Sequence, residues 1–262
     1  KGSKELTGEI HIGGAKNSVV ALIPDTCLTK GKCVIHNVPN ISDVAMLIQM
    51  MEYLGSKVTY ENEVLTIDNK DLKAKPIPTE FSSCLRASYY FMGSLGGHFK
   101  KAEISFPGGC TIGARPIDQT LKGFMALGAE VEEKNNKFKI TAKELKGGHV
   151  YLDMPSVGAT INTMLVAVKA QGLTIIENAA KEPEIVNVAT FLNQMGANIK
   201  GAGTSKIIIN GVEKLGKCYS EVIPDRIEAG TYIVAGALAG DKLKISNIIP
   251  EHVGALLSKL KE

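Results

Sequence analysis

One pattern recurs four times along this 262-residue chain: a small-residue helix start, an apolar helix, a glycine or polar turn, then a strand. The copies are "GAKNSVVALIPDTCLTKGKCVIHNVP", "RASYYFMGSLGGHFKKAEISFPGG", "GATINTMLVAVKAQGLTIIENAA" and "EAGTYIVAGALAGDKLKISNIIP". Aligned on Ala15, Ala87, Ala159 and Ala229, they stand 72, 72 and 70 residues apart. Each leads into a second helix, and the first three of these end in Leu-Gly or Met-Gly at Gly55, Gly128 and Gly196. Glycine suits the residue after a helix, where a left-handed backbone costs it little. Short strands follow: "VLTID", "KFKITA" and "KIIINGV". A fixed period means one supersecondary unit reused, here β-α-β-α-β-β, each copy burying its apolar faces against its neighbours.

Three complete units occupy about 16–224, with an N-terminal strand "GEIHIGG" before them and a fourth unit starting at Pro224. The fourth stops at Glu262, inside its expected second helix. The expectation is an α/β chain that is part of a longer protein. Hydrophobic residues make up 44% but aromatics only 5%, so the core must be aliphatic.

The balance of charge, +3 with 22% charged residues, and the lack of a basic block argue against nucleic acid. No apolar run reaches membrane-spanning length, and the polar opening is not a signal peptide. Five cysteines without a CxxC, and five histidines without ligand spacing, indicate neither structural zinc nor a disulfide framework.

The helix starts recur, so their polar residues stand on equivalent corners of a pseudo-threefold unit. Lys16 and Asn17 mark the first corner, Arg86 the second, Ser156 and Thr160 the third. Helix N-termini attract anions, and Lys16, Arg86 and Arg115 add three cations. A lysine at a helix start is electrostatically disfavoured and so calls for an explanation. Ser156 also reads as a plain N-cap, Asp118 as a first-turn acid, and Glu182 and Glu184 as helix-start residues. Cys27, Cys33, Cys84 and Cys218 read as packing residues. Cys110 differs. In "SFPGGCTIGARPID" it lies among Gly108, Gly109, Gly113, Pro107 and Pro116, with Arg115 five residues on. It reads as a general acid, a nucleophile, or a turn cysteine without a role.

The motifs "GAKN", "RAS", "PGGCTIGARPID", "PSVGAT", "IIENAAKEPEIV" and "PDRIEAGT" resemble the UDP-N-acetylglucosamine 1-carboxyvinyltransferase family, enolpyruvyl transferases of peptidoglycan precursor synthesis. The related shikimate-pathway transferase shares the architecture but is not expected to carry the PGGC loop. The resemblance implies an inside-out α/β barrel, with 17–224 as one complete domain. Residues 1–16 and 225–262 would be part of a second domain whose remainder is absent. It implies transfer of the enolpyruvyl group of phosphoenolpyruvate to the sugar 3'-hydroxyl, with no cofactor or metal, in a bacterial cytoplasm.

By the same resemblance, Lys16, Arg86 and Arg115 hold phosphoenolpyruvate, and Cys110 is the general acid and a target of the epoxide fosfomycin. Asn17, the run Arg115, Pro116, Ile117, Asp118, Gln119, and Ser156, Val157 and Gly158 would bind the nucleotide sugar. Met154 and Ser42 stand where some members carry lysines. Asp225 and Arg226, at the domain crossing, read as structural or closure residues. The base and the arginines of the second domain have no counterpart, so the chain alone is expected to be inactive, a repeat module or a half that needs a partner.

Overall fold

A computed structural model describes residues 5–108 and 116–262. The chain runs β1 (Leu6–His11), α1 (Lys16–Asp25), β2 (Lys32–His36), α2 (Ser42–Leu54), β3 (Lys57–Glu61), β4 (Val64–Asp68) and the one-turn α3 (Thr79–Ser82). It continues with α4 (Tyr90–Phe99), β5 (Lys101–Ser105), α5 (Asp118–Ala126), β6 (Glu130–Lys134), β7 (Lys137–Thr141) and β8 (His149–Tyr151). Then come α6 (Val157–Ala167), β9 (Leu173–Glu177), α7 (Pro183–Gln194), β10 (Asn198–Lys200), β11 (Lys206–Asn210), β12 (Cys218–Glu221), α8 (Arg226–Ala239), β13 (Gly240–Ser246) and α9 (Gly254–Lys261).

The strands form separate sheets of order β12-β2-β4-β3, β5-β7-β6, β8-β9-β11-β10 and β1-β13. In the first three, the strand after the first helix pairs antiparallel with the last strand of its unit. Cross-strand pairs Ile35–Leu65, Ile104–Phe138 and Ile176–Ile207 occupy matching inward positions. Alternate residues of these strands point to the core and the rest outward, as half-buried strands require. Helices α1, α4 and α6 are apolar nearly all round and buried accordingly. Helices therefore lie inside and sheets outside, the α/β arrangement that the repeat and the resemblance implied.

Gly55, Gly128 and Gly196 follow their helices with φ of 103°, 87° and 103°, as expected. The second unit departs from the pattern: its leading strand shrinks to a single bridge, Ile77 with Ile104. Pro76 and Pro78 flank Ile77 and have no N–H to extend the ladder.

The leading strands of the first and fourth units are exchanged. β1 precedes α1 in sequence but pairs with β13, whereas β12 precedes α8 but pairs with β2. The two crossings run antiparallel past each other, with Ala15 N–H donating to Ile223 O at 2.8 Å and Asp225 N–H to Gly13 O at 2.9 Å. Gly14 is needed here, because a Cβ would sit 1.8 Å from Asn37 O. Asn37, Asn178 and Asn247 each follow a paired strand in the left-handed region. Each donates its side-chain N–H to the end of the leading strand, at Val222 O, Leu152 O and Ile12 O. Phe106 holds the equivalent place in the second unit, where no such bond forms.

Cys27, Cys33 and Cys218 are buried, and burial pushes the Cys33 thiol up to about 12 and Cys218 to about 11. Cys84 corrects the packing expectation: it is exposed, because it lies in the turn after α3 rather than on a strand.

Two predictions follow from this packing. Asn178→Ala removes the side-chain bond and leaves a Cβ residue in a left-handed turn, which should cost about 2 kcal/mol and lower the melting temperature by several degrees. An unchanged melt would show that the asparagine does not pin β8. Asp25 is fully buried and neither carboxylate oxygen has a hydrogen-bond partner among the described residues, so burial raises its pKa well above the usual carboxylate value. The native state then keeps a proton that the unfolded chain releases near pH 3.9. Stability is full below that pH and falls as pH rises towards the raised native pKa. Thermal melts at pH 5 and pH 7 should show the wild type losing more stability than Asp25→Asn; parallel losses would refute it.

Candidate functional site

A cleft of about 760 Å³ opens where the starts of α1, α6, α8 and the 3₁₀ turn Arg86–Tyr89 converge. Lys16, Asn17, Arg86, Pro116, Ile117, Ser156, Val157 and Gly158 all line it, although they come from four segments far apart in sequence. Asp118 and Gln119 are not among its lining residues. Asp118 is the first residue of α5, and Gln119 spends its amide on Asp118 and Asp153. Bonds from Lys122 and Gln119 hold the Asp153 carboxyl below its ordinary range. Cys110 and Arg115 lie outside the described residues.

Lys16 is the first residue of α1, and its Nζ lies 2.8 Å from Asp43 Oδ2. Asp43 sits in the first turn of α2, where a helix dipole favours a carboxylate. It is thus the counter-charge that allows a lysine at a helix start. Arg86 Nη1 donates to Pro107 O at 3.2 Å, and its guanidinium lies 5.6 Å from the Tyr89 ring centre. Gly108 N–H donates to Ser82 O at 2.9 Å. The stem that leads to Cys110 is therefore docked on the segment that carries Arg86.

Ser156 caps α6 by accepting from Ala159 N–H at 3.3 Å, so the plain structural role holds. Gly158 has a tighter reason. A Cβ there would fall 1.2 Å from the Tyr89 hydroxyl, so the glycine lets Tyr89 lie over the helix start. Met154 lines the cleft and is 58% exposed, leaving an uncharged side chain there. Ser42, the first residue of α2, bonds only weakly to Asp43, at 3.5 Å.

Sequence reasoning undervalued several lining residues. Asp43, Tyr89 and exposed Cys84 carried no motif. Glu184 and Arg226 were read as helix-start and crossing residues, yet both line the cleft and pair at 3.0 Å. The signal was available: Arg226 is a cation at a helix start, the same anomaly that singled out Lys16. Burial also raises the pKa of Tyr90 on the cleft wall, with neighbouring Tyr89 adding to it.

No helix among the described residues is long and apolar enough to cross a membrane. The chain is 53% identical, over its whole length, to UDP-N-acetylglucosamine 1-carboxyvinyltransferase 1 of Staphylococcus haemolyticus, and covers 62% of that protein. It is equally 53% identical to the UDP-N-acetylglucosamine 1-carboxyvinyltransferase 2 of Bacillus cereus, covering 61%. The chain thus spans about three fifths of the length of these relatives. The solved structure of the enolpyruvyl transferase NikO from Streptomyces tendae matches 99% of the chain and 62% of its own, with a TM-score of 0.86 at 24% identity. EPSP synthase from Acinetobacter baumannii matches 94% of the chain and 57% of its own, with a TM-score of 0.72 at 20% identity. Residues 1–262 match in full the family described as EPSP synthase (3-phosphoshikimate 1-carboxyvinyltransferase), and the chain belongs to that family.

Proposed function

We propose that this chain carries the catalytic-loop half of a UDP-N-acetylglucosamine 1-carboxyvinyltransferase. Enolpyruvyl would pass from phosphoenolpyruvate to the sugar 3'-hydroxyl, with release of phosphate. The observation that carries the reading is the convergence of Lys16, Asn17, Arg86 and Ser156–Gly158 on one cleft. Identity separates it from the shikimate reading: 53% to the UDP-N-acetylglucosamine enzymes, against 20% to the solved EPSP synthase, which speaks for shared fold alone.

The chemistry suits these groups. Phosphoenolpyruvate is a small polyanion, and Lys16, Arg86 and Arg115 supply the cations to hold it. Cys110 gives a proton to the methylene carbon, and positive character develops at the neighbouring carbon. The sugar hydroxyl attacks there, yields its proton to a base in the segment by which the relatives are longer, and forms a tetrahedral intermediate. Loss of phosphate and of a methyl proton restores the double bond. Asn17, Arg115–Ile117 and Ser156–Gly158 orient the nucleotide sugar, with Asp118 and Gln119 set behind them and Met154 and Ser42 lending no charge to its phosphates.

Residues 17–224 would be one complete domain, and 1–16 with 225–262 the start of a second. A specific observation favours a half that needs a partner. Ile227, Val234, Leu238 and Leu260, on α8 and α9, are exposed large apolar residues, as on a face awaiting cover. Turnover would then require the segment by which the relatives are longer, since positioning and general-base catalysis each contribute several powers of ten.

Two outcomes are expected. Fosfomycin should leave one adduct on the 262-residue chain by mass spectrometry, kept in Cys84→Ser and lost in Cys110→Ser. An adduct on Cys84 alone would count against the assignment of Cys110. With both substrates present, phosphate release by the 262-residue chain should stay at background, and a clear rate would overturn the half-site reading.

A further inference from the structure

We propose that Arg226 and Glu184 form a subsite for a protonated phosphate group. As the seat of the leaving phosphate it rests on the transferase reading; as an anion site it stands on the geometry alone.

Arg226 opens α8 as Lys16 opens α1, and the two helix starts meet. One carboxylate, Asp225, accepts from Ile227 N–H at 2.7 Å, Glu228 N–H at 3.2 Å and Lys16 N–H at 3.1 Å. The two helix starts thus meet at the Asp225 carboxylate, which takes up their N–H groups, and each helix begins with a cation that the dipole disfavours. Glu184 accepts from Arg226 Nε at 3.0 Å, which sets the plane of the guanidinium. Arg226 Nη1 and Nη2 have no protein partner among the described residues. The arginine side chain is 27% exposed and the glutamate 3%, so a buried group orients a more open one.

The second observation is Glu184 Oε2, which is buried and without a hydrogen-bond donor among the described residues. A buried carboxylate oxygen left unmatched is costly and marks a place for a donor. Glu184 and Arg226 line the same cleft. Together they offer guanidinium donors and one carboxylate acceptor. The complementary ligand carries oxyanions and one O–H. Hydrogen phosphate and dihydrogen phosphate have both. Sulfate at neutral pH has no proton to donate and would meet Oε2 as a repulsion. The nearby charges are already engaged or opposed: Asp43 pairs with Lys16, and Glu182 and Arg86 lie on the same wall. No covalent step is involved; the phosphate proton is shared with Glu184.

The test is titration of the 262-residue chain with sodium phosphate and with sodium sulfate at matched ionic strength, pH 7, followed by amide shifts in nuclear magnetic resonance. The wild type should prefer phosphate by about tenfold or more, the scale of one charge-assisted hydrogen bond. Arg226→Gln should weaken phosphate by about tenfold. Glu184→Gln, whose amide donates, should raise sulfate towards phosphate, and Glu184→Asp, which withdraws the oxygen, should also erase the preference. Lys206→Gln, on a distant ion pair, should change nothing. Melting curves establish that each variant is folded, and the wild-type preference stands as a test even where a variant is not. Equal affinity for the two ions, binding of neither, or an Arg226→Gln variant that binds like the wild type would each sink the subsite. Titrations with phosphoenolpyruvate and UDP-N-acetylglucosamine keep the two ideas apart. Binding of both without a phosphate preference removes only the subsite. A phosphate preference lost in Arg226→Gln, without binding of either organic ligand, removes only the transferase reading.

Discussion

The structure depends on the reciprocal crossing at Gly13–Ala15 and Ile223–Asp225. Two strands leave the units in which they begin and join each other's sheets. Main-chain bonds hold the crossings together, and Gly14 permits their close approach to Asn37 O. Glu228 Oε2 accepts from Gly13 N–H at 3.1 Å, and Asn187 accepts from Ser18 and Ile223. The same knot sets down the starts of α1 and α8 side by side, with Asp225 capping one and touching the other. The cleft is therefore a product of how the chain changes sheets.

The electrostatics of that cleft are balanced rather than simply basic. Among its described lining residues Lys16, Arg86 and Arg226 face Asp43, Glu182 and Glu184. Lys16 and Arg226 are each clasped by one carboxylate. Such pairing fixes side chains whose free rotation would otherwise be lost on binding, and it spares two helix starts an uncompensated charge.

Much of this was legible in the residues. The period of about 70 residues announced repeated α/β units, and Gly55, Gly128 and Gly196 marked helix ends correctly. Lys16 stood out because a cation at a helix start needs a reason, and Asp43 is that reason. What the sequence hid depends on contacts between distant segments. No local pattern says that β1 belongs beside β13, since a strand carries no label for its partner. Cys84 looked like a packing residue but lies in an exposed turn. Glu184 and Arg226 are 42 positions apart and meet only after the crossing forms. Asp25 sits in an apolar helix, where periodicity gives no warning of a polar group without partners.

The exchanged strands also constrain the order in which the chain can be assembled. β2 finds its parallel neighbour 185 residues downstream, and β1 finds β13 later still. During synthesis β1 stays without β13 while more than two hundred further residues are made. Contacts of such long range slow folding and leave edges open to wrong partners. A chain built this way leaves an edge of β2, and the whole of β1, open until a partner from a distant unit has been made.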